Sequence, residues 1–321
     1  MSNVRHLKEL HGLPAFDFPP PGVEKDLPEA GAVAWRLATD PYGSGDGGME
    51  GTYPELWDRF TASVDLTAVR ALVIGLWDEP YEADSGVVVQ RLVDARDRLT
   101  SLRAVFVGDI EMEEAEISWI EQSDVTPVLD AFPRLEEFGI RGGTGLRFPA
   151  VRHQHLRSLR IEAGGLPGEV VRGIAASELP ALESLEIWLG VENYGGDATV
   201  ADLAPILSGG RFPALRHLGL RNSEIQDEIA AAVASAPVVA QLGTLDLSLG
   251  VLSDEGLMAL LDGQPLTHLT RLDLRHNFVT EPVAERFRSA LAPSGVEVDL
   301  SEQGDSWEDD GVVHRFTAVA E

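Results

Sequence analysis

One pattern constrains this chain more than any other: an apolar residue, two arbitrary residues, a second apolar residue, one arbitrary residue and a third apolar residue. It occurs at Val69/Leu72/Ile74, Leu102/Val105/Val107, Leu135/Phe138/Ile140, Leu156/Leu159/Ile161, Leu182/Leu185/Ile187, Leu215/Leu218/Leu220, Leu242/Leu245/Leu247 and Leu269/Leu272/Leu274. Successive copies lie 21 to 33 residues apart and centre on the high twenties. A recurrence of this length marks units that cannot bury an apolar face alone and must stack on their neighbours. Val33/Trp35/Leu37 and Val296/Val298/Leu300 read as degenerate outer copies, as expected where one side of a stack faces water.

Between the copies run segments with helical periodicity: Val87 to Leu99, Glu169 to Ala176, Val200 to Leu207, Glu224 to Ala234, Asp254 to Leu261 and Glu281 to Leu291. Ser253-Asp254-Glu255 supplies a cap and two carboxylates at a helix start, while Gly263 and Pro265 follow its end. About nine units of strand, turn, helix and turn are therefore expected. The three apolar residues of each strand should point into the layer between strands and helices.

The runs Phe212-Pro-Ala-Leu-Arg-His-Leu-Gly-Leu-Arg-Asn222, Leu179-Pro-Ala-Leu-Glu-Ser-Leu-Glu-Ile187 and Leu269-Thr-Arg-Leu-Asp-Leu-Arg-His-Asn277 resemble leucine-rich repeats of the helix-bearing, ribonuclease-inhibitor-like class. The resemblance implies an α/β solenoid, a horseshoe with parallel strands on the concave face and helices on the convex face. It covers residues 66–300, preceded by a cap and degenerate first repeat in 1–65 and followed by an acidic loop and capping strand in 301–321, all one continuous domain. Asn277 fills the position where the family places an Asn or Cys that bonds the turning backbone, and Ser223 can substitute in its own repeat.

Lys plus Arg total 25 against 53 for Asp plus Glu, a formal net charge of −28. Such a field disfavours nucleic acid and anionic lipid as partners. With no cysteine, the chain has no disulfide, thiolate metal site or cysteine nucleophile. No apolar run reaches the roughly 20 residues that span a bilayer, and 1–17 lacks a signal-peptide pattern, so a cytoplasmic monomer is the expectation.

Pro19-Pro20-Pro21, Pro28, Pro41 and the glycines from Gly43 to Gly51 suggest an irregular N-terminal cap, with Trp35, Tyr53, Trp57 and Phe60 plugging the open end. At the other end Val312 to Val319 could form a last strand that closes an exposed edge. Gly43-Ser-Gly-Asp-Gly-Gly48 matches a dinucleotide fingerprint in form only, since Asp46 would repel phosphate and Pro54 separates it from the next helix. The acidic insertion from Asp109 to Asp124, with Glu111, Glu113, Glu114, Glu116 and Glu121, reads as a solvated loop without the alternation of a calcium loop. His153 and His155 share one strand face, but no third zinc ligand is apparent.

The remaining candidate is the outward side of the strands, located by the alternation of side chains. The row before the third apolar position reads Phe106, Gly139, Arg160, Glu186, Gly219, Asp246, Asp273; the row after it reads Gly108, Arg141, Glu162, Trp188, Arg221, Ser248, Arg275. Arginine and tryptophan are enriched in binding hot spots. Phe106, Arg141, Arg160, Glu162, Glu186, Trp188, Arg221, Asp246, Asp273 and Arg275 thus form the expected binding surface, with Phe106 and Trp188 exposed. The bland alternative is that Arg160/Glu186 and Asp273/Arg275 simply pair along the sheet. The expected function is a non-enzymatic scaffold for a protein or peptide, with no cofactor or metal; the resemblance to stand-alone bacterial proteins of this layout adds an accessory role beside biosynthetic enzymes. The competing expectations are a metal-dependent activity in the acidic N-terminal loops and a self-associating structural module.

Overall fold

The computed structural model describes residues 4–23, 25–40, 51–78, 81–304, 306–309 and 312–320. The glycine run Gly43 to Gly48 lies outside them.

Twelve strands form one sheet in strict chain order. β1 (Glu9–Leu10) and β2 (Leu13–Asp17) make a short antiparallel pair. β3 (Ala34–Leu37), β4 (Ala71–Ile74), β5 (Ala104–Val107), β6 (Glu137–Arg141), β7 (Ser158–Glu162), β8 (Ser184–Gly190), β9 (His217–Ser223), β10 (Thr244–Asp246), β11 (Arg271–Asp273) and β12 (Glu297–Asp299) then follow, all parallel. Parallel neighbours need crossover connections, and most are supplied by α1 (Tyr53–Ser63), α2 (Gly86–Asp94), α3 (Thr126–Ala131), α4 (Gly168–Ala176), α5 (Val200–Leu207), α6 (Gln226–Val233), α7 (Asp254–Asp262) and α8 (Glu281–Leu291). The connection from β6 to β7 has no helix, which explains the one interval as short as 21 residues.

The register matches the sequence alignment: Trp35, Leu72, Val105, Phe138, Leu159, Leu185, Leu218, Leu245 and Leu272 sit side by side across the sheet. Every one is fully buried, and each such aliphatic side chain contributes about 1.5–3 kcal/mol. Val298, at the last strand, is only half-buried.

Local chemistry sets the corners. Asn277 donates through Nδ2 to the carbonyls of Leu274 (2.9 Å) and Leu300 (3.3 Å) and accepts from Val279 N at Oδ1 (3.1 Å). Ser223 Oγ accepts from Ile225 N (3.2 Å), a weaker version of the same closure. The Ser253 side chain caps α7 by accepting from Glu255 N. α2 stops at Asp94 rather than running to Leu99, and a string of tight turns carries residues 95 to 99.

At the first end Trp35, Tyr53, Trp57 and Phe60 are buried, and Phe18 joins them with its ring 5.4 Å from Phe60. The far end departs from expectation. Only Val312–His314 is a strand there, β14, and it pairs antiparallel with β13 (Trp307–Asp309) in a separate hairpin instead of extending β12. From His314 the chain turns back along the sheet, because Thr317 and Val319 find buried positions there. Among the described residues no helix is long and apolar enough to cross a membrane.

Candidate binding surface

The outward face of the sheet is not uniform. Over β3 to β5 it carries Ala34, Ala71 and Ala104 in one register row, with Val73 and Phe106 beside them. These small residues leave space for Leu10, which packs among them with Leu7 and Leu13 at the margin. The segment from Leu7 to Leu13 thus lies on the sheet as a cover, and both faces of β4 and β5 are buried.

Phe106 is 1% exposed. Its ring lies across Gly139, where an added Cβ would stand 2.2 Å from a ring carbon, and the Arg141 guanidinium is 5.5 Å above it. The expectation of an exposed phenylalanine is therefore corrected: the glycine opposite it supplies a seat.

Asp109 fastens the cover. Fully buried, it accepts from Leu7 N (2.9 Å) and Arg36 Nη2 and lies 3.6 Å from Arg141 Nη1. Burial alone would raise the pKa of this carboxyl, but the His6 hydrogen bond, the Arg36 and Arg141 guanidiniums and the Leu7 N–H together hold it below the ordinary value. His6 is raised in turn, chiefly by its bond to Asp109 and against its own desolvation. Arg36 and Arg141 also donate to the carbonyls of Leu7 (2.8 Å) and Arg5 (3.0 Å). The acidic insertion is thus partly an internal anchor, with Glu111 and Glu114 3.7 and 3.4 Å from His6.

From β6 onward the face is a ladder of opposite charges. Arg141 Nε donates to Glu162 (2.7 Å), Arg160 lies 3.5 Å from Glu162 and 3.6 Å from Glu186, and Arg221 donates to Glu186 (2.5 Å) and lies 3.2 Å from Asp246. Trp188 Nε1 donates to Glu186 (3.0 Å) while its ring carries the Arg221 guanidinium at 5.3 Å. Desolvation would raise Glu186, but Arg160, Arg221 and Trp188 overcome it and its pKa falls. Burial wins at Asp246, whose pKa is raised despite Arg221. Further along, Asp273 accepts from Arg275 (3.0 Å) and Arg271 (3.1 Å), and Arg271 also donates to Glu297 (2.5 Å).

The structure thereby corrects the picture of free side chains. Trp188 is 3% exposed, and Arg141, Glu162, Glu186, Asp246 and Asp273 are also buried. Arg141, Glu162, Glu186 and Asp246 are paired across strands, whereas Asp273 is held by Arg271 and Arg275 of its own strand segment and Trp188 by Glu186 beside it and Arg221 across. Arg221 is only slightly open, with 13% of its side chain exposed. The bland pairings exist: Arg160 with Glu186, and Arg275 with Asp273. What solvent reaches over β7 to β12 is the row Ser158, Ser184, His217, Thr244 and Arg271, with Arg160 and Arg275 beside it and Glu297 and Asp299 at the end. Sequence reasoning passed over His217 and Arg271, although both stand two positions before the outward row and the same alternation would have found them.

His153 is buried, accepts from Leu156 N at Nδ1 (2.9 Å) and bonds the Phe132 carbonyl through Nε2 (3.0 Å); burial lowers its pKa. His155 bonds the Pro133 carbonyl (2.9 Å). Both imidazoles tie one turn to another. Among the described residues no three His, Asp or Glu side chains are grouped to hold a metal ion.

No protein-family model matches the chain, and no curated protein matches it. Among solved structures, the crystal structure of a Bacteroides fragilis protein, a structural genomics target, superposes with a TM-score of 0.74 at 33% identity, over 84% of this chain and 75% of that one.

Proposed function

This chain belongs to the same family as that Bacteroides fragilis protein, and we propose that it is a leucine-rich-repeat horseshoe acting as a bacterial, cytoplasmic, non-enzymatic scaffold for another protein or peptide. The single observation that carries this reading is the divided sheet face. One part is closed by the chain's own segment from Leu7 to Leu13, while the part over β7 to β12 stays open and presents Arg160, His217, Arg271 and Arg275 from a backbone fixed by the repeat. Polar side chains held by their neighbours in one geometry lose little freedom on binding, which favours specific recognition. The partner class follows from charge: a chain of −28 repels nucleic acid and anionic membranes, and an open face that sets arginines beside Asp273, Glu297 and Asp299 fits a protein surface of mixed charge.

Affinity capture with the wild type and with Arg271→Glu/Arg275→Glu tests the reading, after thermal melts have shown equal stability. The proposal expects a partner retained by the wild type and lost by the variant at matched salt. Identical capture by both would remove the open face from consideration.

A further inference from the structure

After the β13–β14 hairpin, residues 315–320 run back over the carboxyl ends of the strands in reverse order. His276 Nε2 bonds the Phe316 carbonyl (3.0 Å), and Ala318 N donates to the Leu249 carbonyl (2.8 Å). The Asn222 amide then pairs with both main-chain groups of Val319, accepting from its N–H (3.0 Å) and donating to its carbonyl. The Ala320 carbonyl comes to rest over Gly164, where a Cβ would approach it to 2.1 Å.

Three features make this a built track. First, Asn222, Leu249 and His276 occupy the same position of three consecutive repeats, and all three hold left-handed backbone, with φ of 53°, 68° and 52°. Non-glycine residues seldom adopt that conformation, and it costs free energy that something must offset. Second, every one of these contacts is made to the main chain of the tail, so they do not depend on its side chains. Third, the tail alternates: Thr317 and Val319 are buried while Phe316 is 60% exposed. Main-chain hydrogen bonds combined with seats for alternate side chains are how proteins hold extended peptides.

We propose that this track is a binding site for an extended peptide with β-branched residues at alternate positions, and that residues 316–320 are its built-in occupant, displaced when an external peptide binds. The site is separate from the open face over β7 to β12 and does not rest on that reading. A covalently attached tail acts at an effective concentration of about a millimolar, so the intact protein competes strongly against free peptide.

The probe is a labelled synthetic peptide of residues 314–321, followed by fluorescence anisotropy. In full-length protein carrying Ala318→Pro/Val319→Pro, which removes both tail N–H donors, the peptide should bind about ten-fold or more tightly than to wild type, and adding Asn222→Ala should abolish the gain. A folded released variant that takes up no peptide, or binding indifferent to Asn222→Ala, overturns the proposal. A second measurement covers a released variant that does not fold. Because the chain has no cysteine, Ala320→Cys in otherwise wild-type protein supplies a single thiol. Saturating peptide should speed its modification several-fold, and an unchanged rate contradicts displacement. Arg271→Glu/Arg275→Glu should leave peptide binding here intact, so failure of this site and failure of the open face read out separately.

Discussion

The sheet over β3 to β5 and the sheet over β9 to β12 share one core and one register, yet their outward faces are opposites. In the first region Ala34, Ala71, Ala104, Val73 and Phe106 are covered by Leu7, Leu10 and Leu13. In the second, His217, Arg271 and Arg275 reach solvent while Asp246 and Asp273 are held beneath them. The stack needs only the inner aliphatics, so the outer side chains were free to diverge. One end uses them to fasten the segment from Leu7 to Leu13 and the other keeps a polar surface.

The sharpest way to break this contrast is to remove one carboxylate from each region. Asp109→Ala leaves the largely buried Arg36 without its buried carboxylate partner and Arg141 with Glu162 alone, and should cost about 3–5 kcal/mol in denaturant unfolding. Asp273→Ala frees Arg271 and Arg275, which already reach water, and should cost about 1 kcal/mol. Equal losses would mean that the two faces are not energetically different. Next in size, Leu10→Ala should lower stability by about 2–3 kcal/mol, the lower part of the range for a core leucine, because only one side of its site belongs to the sheet.

A smaller effect should appear with pH. His6 is raised in the folded state by Asp109, so its contribution is complete below its ordinary value near 6.5 and fades as pH climbs through the higher folded value. Asp109 is lowered, so its contribution is present above its ordinary 3.8 and fades as pH falls toward the folded value. Amide exchange of residues 4–13, corrected for intrinsic rate, should therefore be slowest between about pH 4 and 6.5 and accelerate on either side. A flat profile would detach the cover from the His6–Asp109 pair. Smallest of all, Arg275→Ala should shift stability by no more than about 1 kcal/mol, as a half-exposed ion pair does; a melt displaced by many degrees would assign that residue to the fold.

Much of this was legible in the residues. The repeat alignment located the strands because side-chain direction alternates and a shared core fixes the register, so Leu72 through Leu272 fall into one row. The asymmetry of the faces also left a trace. Ala71-Leu-Val-Ile74 and Ala104-Val-Phe-Val107 are apolar at every position, the mark of strands buried on both sides, whereas Arg271-Leu-Asp273 alternates. The identity of the cover was hidden, since β1 and β2 are too short to show a period and their binding depends on a remote aspartate. Trp188 illustrates a second limit. Its row was assigned correctly, but its exposure depended on Glu186 and Arg221 closing around it, and pairing between strands cannot be read from one strand at a time. The returning tail was invisible for the same reason: its partners, Asn222, Leu249 and His276, meet only once three repeats have stacked.

The division of the face can be tested with single thiols, which a chain without cysteine reports cleanly. Ala104→Cys lies beneath Leu10, and Thr244→Cys stands on the open part of the sheet. The account predicts modification at position 244 on the order of a hundred times faster than at 104, as expected when one site must wait for local opening. Comparable rates at the two positions would contradict it.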